Sequence, residues 1–187
     1  MSESEKRSMA HWLGVLGFVG LFAIVLSFGR LMTAQTTRSA ASPPDNRFAA
    51  DAAAGGMAEV KLGELAQEKA SDPSVIAFGR RMAEDHTKAG EQLQQVARSQ
   101  NITLPVALNA TDQARYDQLS KLSGPEFDHA YMQMMVKDHE RDVAEFQKEA
   151  SSGKNPAIKH FAAQILPTLE DHLREARDVA ANRKASR

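Results

Sequence analysis

The chain has 187 residues, 42% of them hydrophobic and 25% charged, which suits one ordinary domain with an appendage and excludes a disordered chain. Lys and Arg number 23 against 24 Asp and Glu, so a formal charge of -1 leaves no basic excess for phosphate backbones, and no nucleic-acid partner is expected. Cysteine is absent, which removes disulfides, thiolate metal sites and thiol catalysis, so any metal must be held by His, carboxylate or Met.

In chain order, Lys6 and Arg7 precede an uncharged run from Trp12 to Phe28 (WLGVLGFVGLFAIVLSF). At about 1.5 Å per residue the run reaches roughly 25 Å, near the lower limit for a bilayer core of about 30 Å and longer than most signal-peptide cores. Residues 1–30 are therefore read as a signal anchor or transmembrane helix. The positive charge before the run directs the N-terminus to the cytoplasm and the domain to the periplasm, anchored to the inner membrane. Small residues at Ser39 and Ala41 leave open the alternative of cleavage and release into the periplasm. Residues 31–46, rich in Ser, Thr, Ala and Pro without an apolar period, read as a flexible linker.

From residue 47 the pattern is helical. An Ala-rich segment covers 48–70. Asp72-Pro73 then supplies an N-cap and a proline at the first helical position for a helix to about Gln100. The stretch ITLPVALNA after Asn101 is irregular, and Thr111 can cap a short helix to Leu122. Gly124-Pro125 opens a third long helix to about Ser151, and Ser151 to Pro156 repeats the stop and start before a fourth from Ala157 to Asn182, in which Pro167 predicts a kink. The expected fold is all-α: a four-helix bundle over 47–183 with a short helix in its long second connection, preceded by one hydrophobic helix and followed by a basic tail at 184–187.

Each long helix carries an apolar stripe at spacings of three and four, and each stripe is broken near its middle by a group that can bind metal or a proton. The first stripe is broken by Glu59 after Ala52 and Gly55, the second by His86 after Phe78 and Met82. The third is broken by His139 after Tyr131 and Met135, the fourth by His172 after Ile165 and Leu169. Counting from the turns at about 1.5 Å per residue places the four within one or two helical turns of one level, whichever way the second and third helices run. Buried polar groups must satisfy one another or a bound ion, so Glu59, His86, His139 and His172 are candidate metal ligands.

Aspartate immediately precedes each histidine, as Asp85, Asp138 and Asp171. Neighbours on a helix point about 100° apart, so these carboxylates would orient a histidine on another helix, or simply be solvated. Met82 and Met135 each stand one turn before a histidine. Thioether with imidazole suits copper, although methionine stripes are usually core filler. The residues three before the histidines are Ala83, Val136 and Leu169, so the Glu-x-x-His pairs of di-iron bundles are missing.

Residues 48 to about 180 resemble a bacterial family of ferritin-like domains of unknown function, often labelled outer-membrane or exported proteins. The resemblance rests on Glu59-Val60, Leu62-Gly63, Leu65-Ala66, Phe78 through Met82 to Asp85-His86, and Leu104-Pro105. It continues through Leu122-Ser123-Gly124, Phe127-Asp128, Tyr131, Val136 to His139, Phe161-Ala162, Leu166-Pro167, Leu169 and His172-Leu173. It implies a ferritin-like pair of hairpins with a long crossover and a periplasmic location, and brings no established reaction.

Two functions are thus expected. One is a tethered bundle that binds a divalent transition metal or copper, for sequestration or sensing. The other is a metal-free structural or protein-interaction module of the cell envelope, whose His/Glu set fixes helix register and whose protein partner is unnamed. No phosphate loop, nucleophile elbow or nameable substrate pocket is present, which puts an enzyme third.

Overall fold

The computed structural model describes residues 43–185, and the apolar run at 12–28 with most of the linker lies outside them. Five helices follow in order: α1 (Pro44–Lys69), α2 (Pro73–Ser99), α3 (Ala110–Ser120), α4 (Gly124–Ser152) and α5 (Pro156–Ala185), with no strand among the described residues. None of the described helices is long and apolar enough to cross a membrane.

The helix ends follow local chemistry. The Asp72 side chain accepts from the Ser74 amide, and Pro73 takes the first helical position, as the sequence predicts. α2 stops in a Schellman turn: Asn101 adopts φ 53°, the Ile102 amide donates to the Ala97 carbonyl at 2.9 Å, and Ile102 folds into the core. Three boundaries differ from expectation. α1 begins at Pro44, within the stretch read as linker, because Asp45 is buried and accepts from the Lys154 and Asn155 amides of the α4–α5 turn. α3 is capped by Asn109, not Thr111, through the Asp112 amide. At the far end α5 continues through Pro167 and reaches Ala185, past the start of the expected tail.

α1 packs against α2 and α4 against α5 as two hairpins, which meet side by side through α1 with α4 and α2 with α5. Buried Asp128 near the start of α4 accepts from Ser71 and Asp72 in the α1–α2 turn, while Asn155 reaches Gln100 at the end of α2. α2 and α4 therefore run parallel, and residues 100–123 cross the length of the bundle. This decides the direction that counting from the turns leaves open.

The core has two apolar clusters. One gathers Leu62, Phe78, Met82, Phe127, Tyr131 and Met135, the other Ala49, Leu93, Phe146, Phe161 and Leu169. In sequence, Glu59, His86, His139 and His172 each fall between a residue of one cluster and a residue of the other. The polar groups thus form a layer between two greasy halves. α1 and α2 touch closely near this layer: a Cβ on Gly63 would lie 2.5 Å from the Gly79 carbonyl oxygen, and one on Gly79 would lie 2.6 Å from the Ala66 Cβ.

Candidate metal centre

His86 on α2, His139 on α4 and His172 on α5 point inward at one level. Their ring centroids lie 5.8 Å (His86 to His139), 5.4 Å (His86 to His172) and 5.4 Å (His139 to His172) apart, so the imidazoles form a nearly equilateral triangle. All three are buried, and each offers one ligand atom within 4.8 Å of the other two.

In each ring one nitrogen is engaged and the other is free. His139 Nδ1 donates to the Met135 carbonyl at 2.9 Å; since a carbonyl only accepts, the proton is on Nδ1 and Nε2 is a bare lone pair. His172 Nε2 donates to Asp85 Oδ2 at 3.0 Å, which leaves Nδ1 bare. Burial tends to raise the Asp85 carboxyl, but His172 and Arg81 outweigh it and hold Asp85 below the usual carboxylate range, ready to accept. His86 Nδ1 stands 3.1 Å from Glu59 Oε2. His86 Nε2, His139 Nε2 and His172 Nδ1 have no hydrogen-bond partner.

Three buried acceptors without a donor are costly, at about 1–3 kcal/mol each when unsatisfied. Protonation does not relieve them. Burial lowers His86 to about 3, helped by neighbouring His139, and lowers His172 to about 4, helped by His86, so both rings stay neutral near pH 7. A cation between the three nitrogens would satisfy all of them. Metal–imidazole bonds of about 2.0–2.1 Å set nitrogens roughly 3.3–3.6 Å apart, against separations of up to 4.8 Å between the ligand atoms here.

The other sequence-predicted residues divide. Glu59 is buried, but its oxygens face the Nδ1 atoms of His86 and His139, at 3.1 and 3.6 Å, on their engaged side. It is placed to orient His86, with its carboxyl raised by burial and opposed by His139. Asp85 meets a histidine of another helix, the arrangement its position beside His86 suggests. Asp138 is buried between Arg115 and Arg141 and touches no histidine. Asp171, nearly half exposed, pairs with Arg174. Met82 and Met135 lie buried in the first apolar cluster, and His139 takes the carbonyl of Met135.

A cleft of about 1300 Å³ leads from the surface to Glu59 and His86, between α1, α4 and the crossover residues 104–112. Sequence reasoning missed this wall of the site. Its only trace is the apolar Leu104, Val106 and Leu108 at alternate positions of an irregular stretch.

Residues 30–179 match the family model described as Domain of unknown function (DUF4142). No curated protein matches the chain. Among solved structures, the chain is similar to a candidate secreted protein DUF305 from Streptomyces coelicolor. The TM-score is 0.64 at 17% identity, over 75% of this chain and 92% of that one. It is also similar to a DUF305 fragment from Deinococcus radiodurans, with TM-score 0.66 at 14% identity, over 75% and 97%. At these identities the likeness shows the fold alone.

Proposed function

The chain belongs to the DUF4142 family of domains of unknown function, and from that premise we propose that it is an exported helical-bundle protein that holds a transition-metal ion at mid-bundle, for sequestration or sensing. The ligands are His86 Nε2, His139 Nε2 and His172 Nδ1. The carrying observation is that three buried imidazoles offer ligand atoms within 4.8 Å of one another and each keeps one nitrogen without a partner, while the opposite nitrogen of each ring is held by Glu59, the Met135 carbonyl or Asp85. Such outer contacts fix ring tautomer and orientation in metal sites. Glu59 serves as an orienting group, and Asp85 does the same for His172. Glu59 and His86 share one proton, and a cation at Nε2 places it on Nδ1.

Three neutral imidazoles suit Zn(II), Cu or Fe(II) more than the hard ions Mg(II) and Ca(II), which take oxygen. With three protein ligands, a fourth position is left for water or a partner's donor. We read the fold as ferritin-like from the parallel α2 and α4 joined by the long crossover. Export is supported by the apolar run at 12–28 and by the description of the Streptomyces relative as a candidate secreted protein; the same run would tether the domain to the membrane.

The test is elemental analysis of the full chain purified from the periplasmic fraction and its membranes without a His-tag, beside His86→Ala/His139→Ala. One equivalent of metal in the wild type and none in the variant is expected. A folded wild type that holds no metal and takes up none from Zn(II), Cu or Fe(II) would overturn the reading. It would favour instead a metal-free envelope module, for which the interhelical Glu59–His86 and Asp85–His172 contacts would serve only to fix register.

A further inference from the structure

The cleft beside the histidines has an unusual lining. α1 reads Ala52, Ala53, Ala54, Gly55, Gly56 along it, and α2 adds Ala89 and Gly90. A glycine inside a helix costs about 0.5–1 kcal/mol relative to alanine, and is usually retained because a Cβ would clash. That holds for Gly63 and Gly79. It does not hold for Gly55 and Gly90, where an added Cβ would meet nothing within 4 Å. Neither has a positive φ. These two glycines give up helix stability and return no packing; what they keep is open space.

The space ends on two buried side chains that each keep one atom without a hydrogen bond. Glu59, its side chain 6% exposed, has Oε1 without a hydrogen bond, and His86, 8% exposed, has Nε2 without one; both line the cleft. The wall leading to them is acidic. Asp51 and Glu145 are exposed, Asp142 is half-buried and Glu59 is buried, so the carboxylates descend from solvent to the site. Each feels the next. Burial and then Asp142 raise the Glu145 carboxyl, with Asp51 adding to it, and burial and then Glu59 push Asp142 up to about 6. Arg141 neutralises part of this charge through Asp142 Oδ1 at 2.9 Å.

We infer that this cleft is the entry port of the metal centre: a hydrated divalent cation is drawn in by Asp51, Glu145 and Asp142 and passes Glu59 Oε1 to reach the three histidine nitrogens. The inference rests on the metal-site reading above. Lys61, Arg115 and Arg141 also line the cleft but are outnumbered by carboxylates. A low-dielectric cleft with an excess of one sign of charge raises the local concentration of the opposite ion and its association rate, by about 10- to 1000-fold where the bias is strong. Glu59, with Oε2 on His86 Nδ1 at 3.1 Å and Oε1 3.6 Å from His139 Nδ1 but without a hydrogen bond, is a suitable last exchange point as the ion sheds water.

The test mixes Co(II) with the metal-free full chain in a stopped-flow spectrometer and follows the visible absorption of the bound ion. Two variants are compared with wild type. Gly55→Leu/Gly90→Leu narrows the cleft from two positions where a Cβ meets nothing within 4 Å, and should fold at least as stably. Asp142→Asn/Glu145→Gln removes the charge. Both are expected to bind the same final number of ions with association slowed about tenfold or more, and the charge variant to lose most of its dependence on ionic strength. Association at the wild-type rate in both variants would overturn the port while leaving the metal site standing. A wild type that binds no Co(II) would overturn the site itself, and the port with it.

Discussion

His172 Nδ1 and the Nε2 atoms of His86 and His139 are the least satisfied atoms of the centre, and their condition has a consequence for pH. In the metal-free protein the folded values of His86 and His172, about 3 and about 4, lie below the ordinary 6.5. Between those values and 6.5 the unfolded chain binds protons that the folded chain does not. Stability is therefore fully present above about pH 6.5 and is lost as pH falls toward 4 and then 3. Glu59 and Asp142, both raised by burial, act in the opposite direction as they take up protons. Asp85, held low, adds to the loss only in strong acid. One histidine is isolated by comparing wild type with His172→Gln, both in chelator, by urea unfolding from pH 7 to 4.5. The wild-type slope of unfolding free energy against pH should exceed that of the variant by close to one proton, about 1.4 kcal/mol per pH unit. Equal slopes would mean that His172 titrates alike in the folded and unfolded chain.

At the level of the helices, the site depends on how closely α1 approaches α2. Glu59 and His86 meet at 3.1 Å where Gly63, one turn from Glu59, and Gly79, two turns from His86, let the two backbones touch. Gly79→Ala inserts a methyl where 2.6 Å is available, so a loss of about 1–3 kcal/mol is expected, with weaker metal binding as the helices part. Gly90→Ala, in open space on the same helix, should gain up to about 1 kcal/mol from helix propensity alone. Urea unfolding of the two variants checks this, and a shift of the same sign in both would refute the packing argument. The ends of the helices are held by aspartates that stripe patterns do not reveal. Asp128 binds the α1–α2 turn and Asp45 the α4–α5 turn, each through backbone amides brought close only by folding.

For the whole molecule, a site assembled from three helices exists only in the folded state, so metal and fold are linked. An ion that binds the native chain stabilises it by RT ln(1 + [L]/Kd), about 2.7 kcal/mol at one hundred times Kd. Calorimetry should show a melting temperature that rises with added Zn(II) in the wild type and stays fixed in His86→Ala/His139→Ala. An equal rise in both would place the binding elsewhere.

Much of this arrangement is determined by the sequence alone. The helices follow from periodicity and from caps such as Asp72-Pro73, because these are local preferences expressed within a few residues. The interruptions at Glu59, His86, His139 and His172 are legible for the same reason: a polar residue on an apolar stripe must face the core. Tertiary structure alone decided that α2 runs parallel to α4, that Asp85 reaches His172 while Asp138 pairs with Arg115 and Arg141, and that Glu59 faces the engaged side of the imidazoles. It alone revealed the cleft. Which atom of a side chain meets which neighbour is set by the approach of helices distant in sequence. A stripe fixes the direction in which a residue points, and the packing of other helices fixes what it finds there.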